Sequence, residues 1–246
     1  MKVTTFVLAV LAAPFAHTAP TELLGRQTKA RQLIEPELFP VLQRYTKFAV
    51  ASLATFVYGH GTCKSPPFKS RLVLTVSNTT TNTQFAVFQN DAAKEFIVSF
   101  PGSDSLMDAV TNINFPLIPL TSAPGHYGCQ VNEGVLLSWR SVQGQLITAL
   151  AELRSQHYDY STIAANNVPI KAAYTMGSLR VGNQQYADFT NNLSGASDTQ
   201  IDNFIRITHS IDGVPVLPPN SIGFEHTRTE IYELENAALT QTAATT

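Results

Sequence analysis

No stretch constrains this chain more than "EFIVSF", Glu95 to Phe100. It is continuously apolar, as expected of a strand buried on both faces, and it ends in a glycine-containing loop, "PGSDS". Two further strand candidates precede it, "RLVLTVS" (Arg71–Ser77) and "QFAVFQN" (Gln84–Asn90), separated by "NTTTNT", a turn composition. Long helical stripes flank these runs. Leu42, Tyr45, Ala49, Leu53 and Phe56 make one face of a helix within Glu37–Tyr58, and Val135, Trp139, Val142, Leu146, Leu150 and Leu153 make another within Asn132–His157. Beyond them "IKAAYTM" (Ile170–Met176), "NFIRITH" (Asn203–His209) and "EIYEL" (Glu230–Leu234) read as strands, and "GNQQYADFTNNL" as a short helix. Strands alternating with helices predict an α/β mixed sheet flanked by helices, with right-handed crossovers and chemistry at the carboxyl ends of the strands.

The chain has 246 residues, 44% hydrophobic and 14% charged, which suits one α/β domain. Its net charge of −2 gives no electrostatic reason to expect nucleic acid as a partner. The start, "MKVTTFVLAVLAAPFAHTAP", has one lysine, an apolar run and then small residues, which predicts a secretory signal peptide over 1–19 and a secreted protein. The alternative is a buried first helix. Residues 20–35 read as a pro-segment or flexible N-terminus, 36–235 as the domain, and the small, polar 236–246 as a disordered tail. No other run is long or apolar enough to cross a bilayer. Secretion permits a disulfide between Cys63 and Cys129, the two cysteines present, or leaves two unpaired thiols. Neither has a ligand partner at zinc-motif spacing, so no metal and no cofactor is expected. The sequons at Asn78 and Asn192 mark two glycan sites.

"EFIVSFPGSDS", "YTMGSLRVGNQQYADF" and "FIRITHSIDGVPVLPP…IGFEHTRTEIY" stand in that order. Together they resemble the fungal class-3 triacylglycerol lipases, secreted α/β-hydrolases with feruloyl esterase relatives, over roughly Leu42 to Tyr232. The Arg-Val-Gly-Asn block and the Thr-His-x-x-Asp-x-Val-Pro-x-Leu-Pro-Pro block carry most of the likeness. The resemblance implies a Ser-Asp-His triad with an oxyanion hole, acting as a monomer on a lipid or ester substrate at a lipid–water interface. It assigns Asp212 as the triad acid and Ser103 as the oxyanion-hole residue. It places a lid over Ser105, Leu106, Met107, Asp108, Ala109 and Val110, within "SLMDAVTN". Taken without the resemblance, Asp212 reads as a turn aspartate and Ser103 as a loop serine.

The nucleophile is missing from the pattern. The family's Gly-His-Ser-Leu-Gly elbow belongs between a strand beginning at "DYSTI" and the strand "VPIKAAYTMG". Only four residues separate Ile163 from Val168, and no Gly-x-Ser-x-Gly occurs in the sequence. An elbow and a helix of roughly ten residues do not fit there. Ser178 is a poor substitute: the positions two before and two after an elbow serine must be small, and here they are Met176 and Arg180. The base is missing too. His226, the only histidine after Asp212, and His209 match family positions that support loops rather than catalyse. The expectation is an α/β-hydrolase incomplete at its central strand, with little or no hydrolysis. Its origin is a truncated gene, an inactive lipid- or surface-binding homologue, or an enzyme with an improvised set such as Ser178 with His226 or His209.

Overall fold

A computed structural model describes residues 32–33, 36–102, 116–121, 125–163, 171–195, 203–209, 212–233 and 243–245. In chain order its elements are β1 (Gln32–Leu33), α1 (Leu38–Val57), β2 (Arg71–Asn78), β3 (Thr83–Asn90), β4 (Glu95–Ser99), β5 (Leu117–Pro119), β6 (Gln130–Asn132), α2 (Glu133–Gln156), β7 (Ser161–Ile163), β8 (Ala173–Met176), α3 (Gln184–Ser194), β9 (Phe204–His209), β10 (Glu230–Glu233) and β11 (Ala243–Thr245). Each of the predicted helices and strands forms where its period places it. The period-free β1, β5, β6 and β11 are additional. β11 falls inside the predicted disordered tail, and β1 inside the predicted flexible N-terminus. β11 adds antiparallel to the outer edge of β10, and β1 adds antiparallel to β11, where short segments extend a free ladder.

The alternation of side chains along β3 builds two cores at once. Phe85 and Val87, fully buried, point to one face and pack with Phe96 against Val142, Leu146 and Leu150 of α2. Ala86 and Phe88 point to the other and pack with Ile97 against Tyr45 and Phe48 of α1. β4 is buried on both faces because a helix covers each, as its continuous apolar run predicts.

β2, β3 and β4 are antiparallel neighbours, and β7 joins β4 in parallel, giving the order β2-β3-β4-β7. A second ladder runs β8-β9-β10-β11-β1, with β8, β9 and β10 parallel. Among the described residues no ladder joins β7 to β8. β7 pairs through three residues, Ser161 to Ile163, opposite Glu95 to Ile97. Among the described residues, Val98 and Ser99 in the upper part of β4 have no ladder partner on that side.

One helix holds the two ladders in register. α1 lies on β3 and β4 through Tyr45 and Phe48, and on β9 and β10 through Leu42, which packs with Ile205 and Ile231. Tyr174 of β8 belongs to both clusters and stacks on Tyr45 at 4.5 Å between ring centroids. Beneath that stack the buried Glu95 accepts from Arg44 Nε at 3.2 Å, from Arg44 Nη2, and from the Tyr45 hydroxyl at 3.0 Å.

Candidate active site

The carboxyl ends of β8 and β9 converge on Asp212. Its amide donates to the carbonyl of His209, the last residue of β9, at 3.1 Å. Its Oδ1 accepts the Val214 amide at 2.9 Å, closing the local turn that a bare sequence reading assigns it. Oδ2 lies against Gly177 just beyond β8: a Cβ on residue 177 would stand 2.5 Å from it. Gly177 has φ +60°, the left-handed region. The carboxylate is half-exposed and fixed at a strand end on both sides.

The hydrogen bonds that hold Asp212 are backbone ones, to the His209 carbonyl and from the Val214 amide. Ser178 sits one position past Gly177, but its hydroxyl bonds Thr175 Oγ1 at 2.9 Å. Its neighbour Arg180 is 7% exposed and points away into the loop after β9. His226 donates from Nε2 to the Pro215 carbonyl at 2.6 Å and ties that loop to the segment before β10. Ser103 and the lid, Ser105 to Val110, lie outside the described residues.

The two blocks that carry the resemblance are built into scaffold. The Arg180 amide donates to Leu217 O at 2.8 Å, and its guanidinium donates to Pro218 O at 2.8 Å and to Val216 O. The Val-Pro-Val-Leu-Pro loop thus folds around one buried cation. Val181 O accepts the Asn132 amide, and Gly182 bridges to both Val131 and Glu225. A side chain at 182 would meet the Tyr186 ring at 2.7 Å. Asn183 caps α3 by accepting from the Tyr186 amide, and it also binds the Gln130 amide and the Gly128 carbonyl. Sequence reading missed Gly177, Arg180 and Asn183 as determinants of the site. The Arg-Val-Gly-Asn block was the visible signal for two of them.

The predicted bridge is not formed. Cys63 and Cys129 are both free: Cys63 packs beside the α1 cluster, and Cys129 is buried just before β6. Burial raises the Cys129 thiol pKa above its ordinary value. Of the two sequon asparagines, Asn192 is exposed on α3, whereas Asn78 is half-buried and donates to the Ser141 carbonyl at 3.3 Å. No group of three or more possible metal ligands occurs among the described residues. No described helix is long and apolar enough to cross a membrane.

In sequence, the chain is 29% identical over 192 residues to a secreted mono- and diacylglycerol lipase of Fusarium solani, covering 71% of this chain and 55% of that protein. It is 25% identical over 190 residues to a lipase of Rhizomucor miehei, covering 68% and 49%. The chain spans about half the length of the curated relatives it matches. In structure, it matches the triacylglyceride lipase of Rhizomucor miehei with TM-score 0.72 at 20% identity, covering 87% of this chain and 86% of that one. It matches a triacylglycerol lipase of Penicillium expansum with TM-score 0.68 at 23% identity, covering 87% and 85%. No family model matches the sequence. The fold is that of an α/β-hydrolase of the lipase type, and the resemblance to fungal lipases holds in both sequence and structure.

Proposed function

From the lipase-type α/β-hydrolase fold as premise, we propose that the chain is a secreted, lipase-like protein related to carboxylic ester hydrolases, and that this polypeptide hydrolyses esters little or not at all. One observation carries the reading. Only four residues separate Ile163, at the end of β7, from Val168, and no Gly-x-Ser-x-Gly occurs in the sequence. The elbow that would hold a nucleophile opposite Asp212 belongs in that interval. Asp212 keeps the position of a triad acid, but an aspartate without its serine and histidine leaves only residual rate enhancement. Ser103 as oxyanion donor and 105–110 as lid belong to the same reading.

Purified chain assayed with short-chain nitrophenyl esters and with a monoacylglycerol should show hydrolysis no faster than a heat-denatured control. Turnover that vanishes in Ser178→Ala would replace this reading with the improvised triad. Sequencing the transcript across Ile163 to Val168 separates the origins: an intervening segment encoding Gly-x-Ser-x-Gly identifies a truncated gene, and a direct join identifies a genuine non-hydrolytic homologue.

A further inference from the structure

The outer face of α1 carries a feature that the sheet does not use. The inward positions Leu42, Tyr45 and Phe48 are buried. A second apolar stripe, Val50, Ala54, Val57 and Tyr58, follows helical spacing on another face and stays open, with Val50 60% and Tyr58 80% exposed. The segment after the helix folds back along this stripe. A groove of about 630 Å3 results, floored by Val50, Ala51 and Ala54 and walled by Tyr58, Cys63 and Pro67. That volume lies within the range of small-molecule sites, about 300–1,000 Å3.

The wall is fixed by its backbone. Tyr58 and Gly59 amides both bond Ala54 O, Gly61 bonds Thr55 O, and Thr62 bonds Gly59 O. His60 and Gly61 hold positive φ of 46° and 85°, which commits the chain to this return.

The charges of the groove have one sign. Lys47 and Lys64 line it, and α1 contains no acidic residue over Leu38–Val57. Lys47 Nζ is steadied over the Phe68 ring, 5.3 Å from its centroid. Among the described residues neither lysine has a carboxylate partner. An apolar trough with unpaired cations fits an apolar tail ending in an anion. It does not fit the chain's own residues 20–31, "PTELLGRQTKAR", which bring Arg26, Lys29 and Arg31 against a single Glu22.

We propose that this groove binds one long-chain carboxylate, with the tail along Val50 and Ala54 and the carboxylate between Lys47 and Lys64. The site is separate from Asp212 and does not depend on whether the chain hydrolyses esters.

Calorimetry with laurate held below its micelle concentration tests it. The full chain should bind about one equivalent. Lys47→Glu with Lys64→Glu should weaken binding about tenfold or more, and Ala54→Trp, which fills the floor from an exposed helix position, should also weaken it while the circular-dichroism melt is retained. Dodecyltrimethylammonium, with the same tail and the opposite head, should bind more weakly than laurate. No laurate binding overturns the proposal, as does an affinity unchanged by the double charge reversal or a cationic amphiphile binding as tightly. A synthetic 20–31 peptide that occupies the groove where laurate does not would also overturn it, in favour of self-occupancy. Ester hydrolysis by the wild-type chain would refute the functional reading above without touching this one.

Discussion

Gly177 and Asp212 meet where the ends of β8 and β9 come together, and a single atom governs that approach. A methyl at residue 177 would have to occupy φ +60° and stand 2.5 Å from the carboxylate. Either the turn or the aspartate must move. The left-handed conformation alone costs a non-glycine residue about 1–2 kcal/mol. We therefore expect Gly177→Ala to lower urea-unfolding stability by about that much or more, whereas Ser178→Ala, which loses one hydroxyl pair with Thr175, should cost less. A Gly177→Ala midpoint equal to wild type would show that Asp212 relaxes freely. This contrast explains what sequence could and could not disclose here. Ser178 stands out in print because serine is a nucleophile. Gly177 beside it does not, because its role is a void that exists only once β8 and β9 converge. Asp212 was assigned from a resemblance, and the structure puts it at a strand end; its turn geometry alone would not separate a catalytic carboxylate from an ordinary one.

At the scale of elements, α1 matters because it packs on both ladders. Its attachment to β4 runs through the Arg44–Glu95–Tyr45 cluster. Burial first, and then the Glu95 carboxylate, push the Tyr45 hydroxyl above its ordinary pKa. Below about pH 10 folded and unfolded chains both keep that proton, so it adds no pH dependence. Above it the unfolded chain ionises and the folded chain does not, so stability falls as pH rises further. Tyr174 and Tyr186 shift in the same direction. Tyr45→Phe should lower stability at pH 7 by about 1.5–3 kcal/mol, the worth of a hydrogen bond to a charged group. It should also shallow the decline between pH 10 and 11. Parallel declines in wild type and variant would place the alkaline sensitivity in the other tyrosines. The helices and the long strands were legible because their apolar periods are strong. β1, β5, β6 and β11 were not, because two- or three-residue edge pairings leave no period to read. The contact between Glu95 and Arg44 spans 51 positions, and no local pattern encodes it.

For the molecule as a whole, the described strands form two unequal ladders, one of four strands and one of five. The four-stranded half is covered by helices on both faces, with Phe85, Phe88, Phe96, Val142, Leu146 and Leu150 all nearly inaccessible. Among the described residues, the five-stranded half meets α1 through a smaller cluster, Leu42, Ile205 and Ile231, with Leu38, Tyr174 and Ile207 packed against it. Apolar burial stabilises by about 25 cal/mol per Å2, so the two halves differ in what holds them. Among the described residues, α1 and Tyr174 pack against both halves and couple them. Native-state hydrogen exchange should therefore report two levels of protection. Amides of β3 and β4 should exchange only by global opening, and those of β8, β9 and β10 by a lower-energy opening that leaves the first half folded. Leu42→Ala, which removes the helix's hold on β9 and β10, should widen the gap between them, at a cost of about 2–5 kcal/mol to the second half. Equal protection across β3 and β9, moving together in Leu42→Ala, would mean that the two ladders behave as one cooperative unit. A chain carrying a strand–turn–helix insert between Ile163 and Val168 supplies the converse: if the four-residue join there causes the split, adding a central strand should merge the two levels.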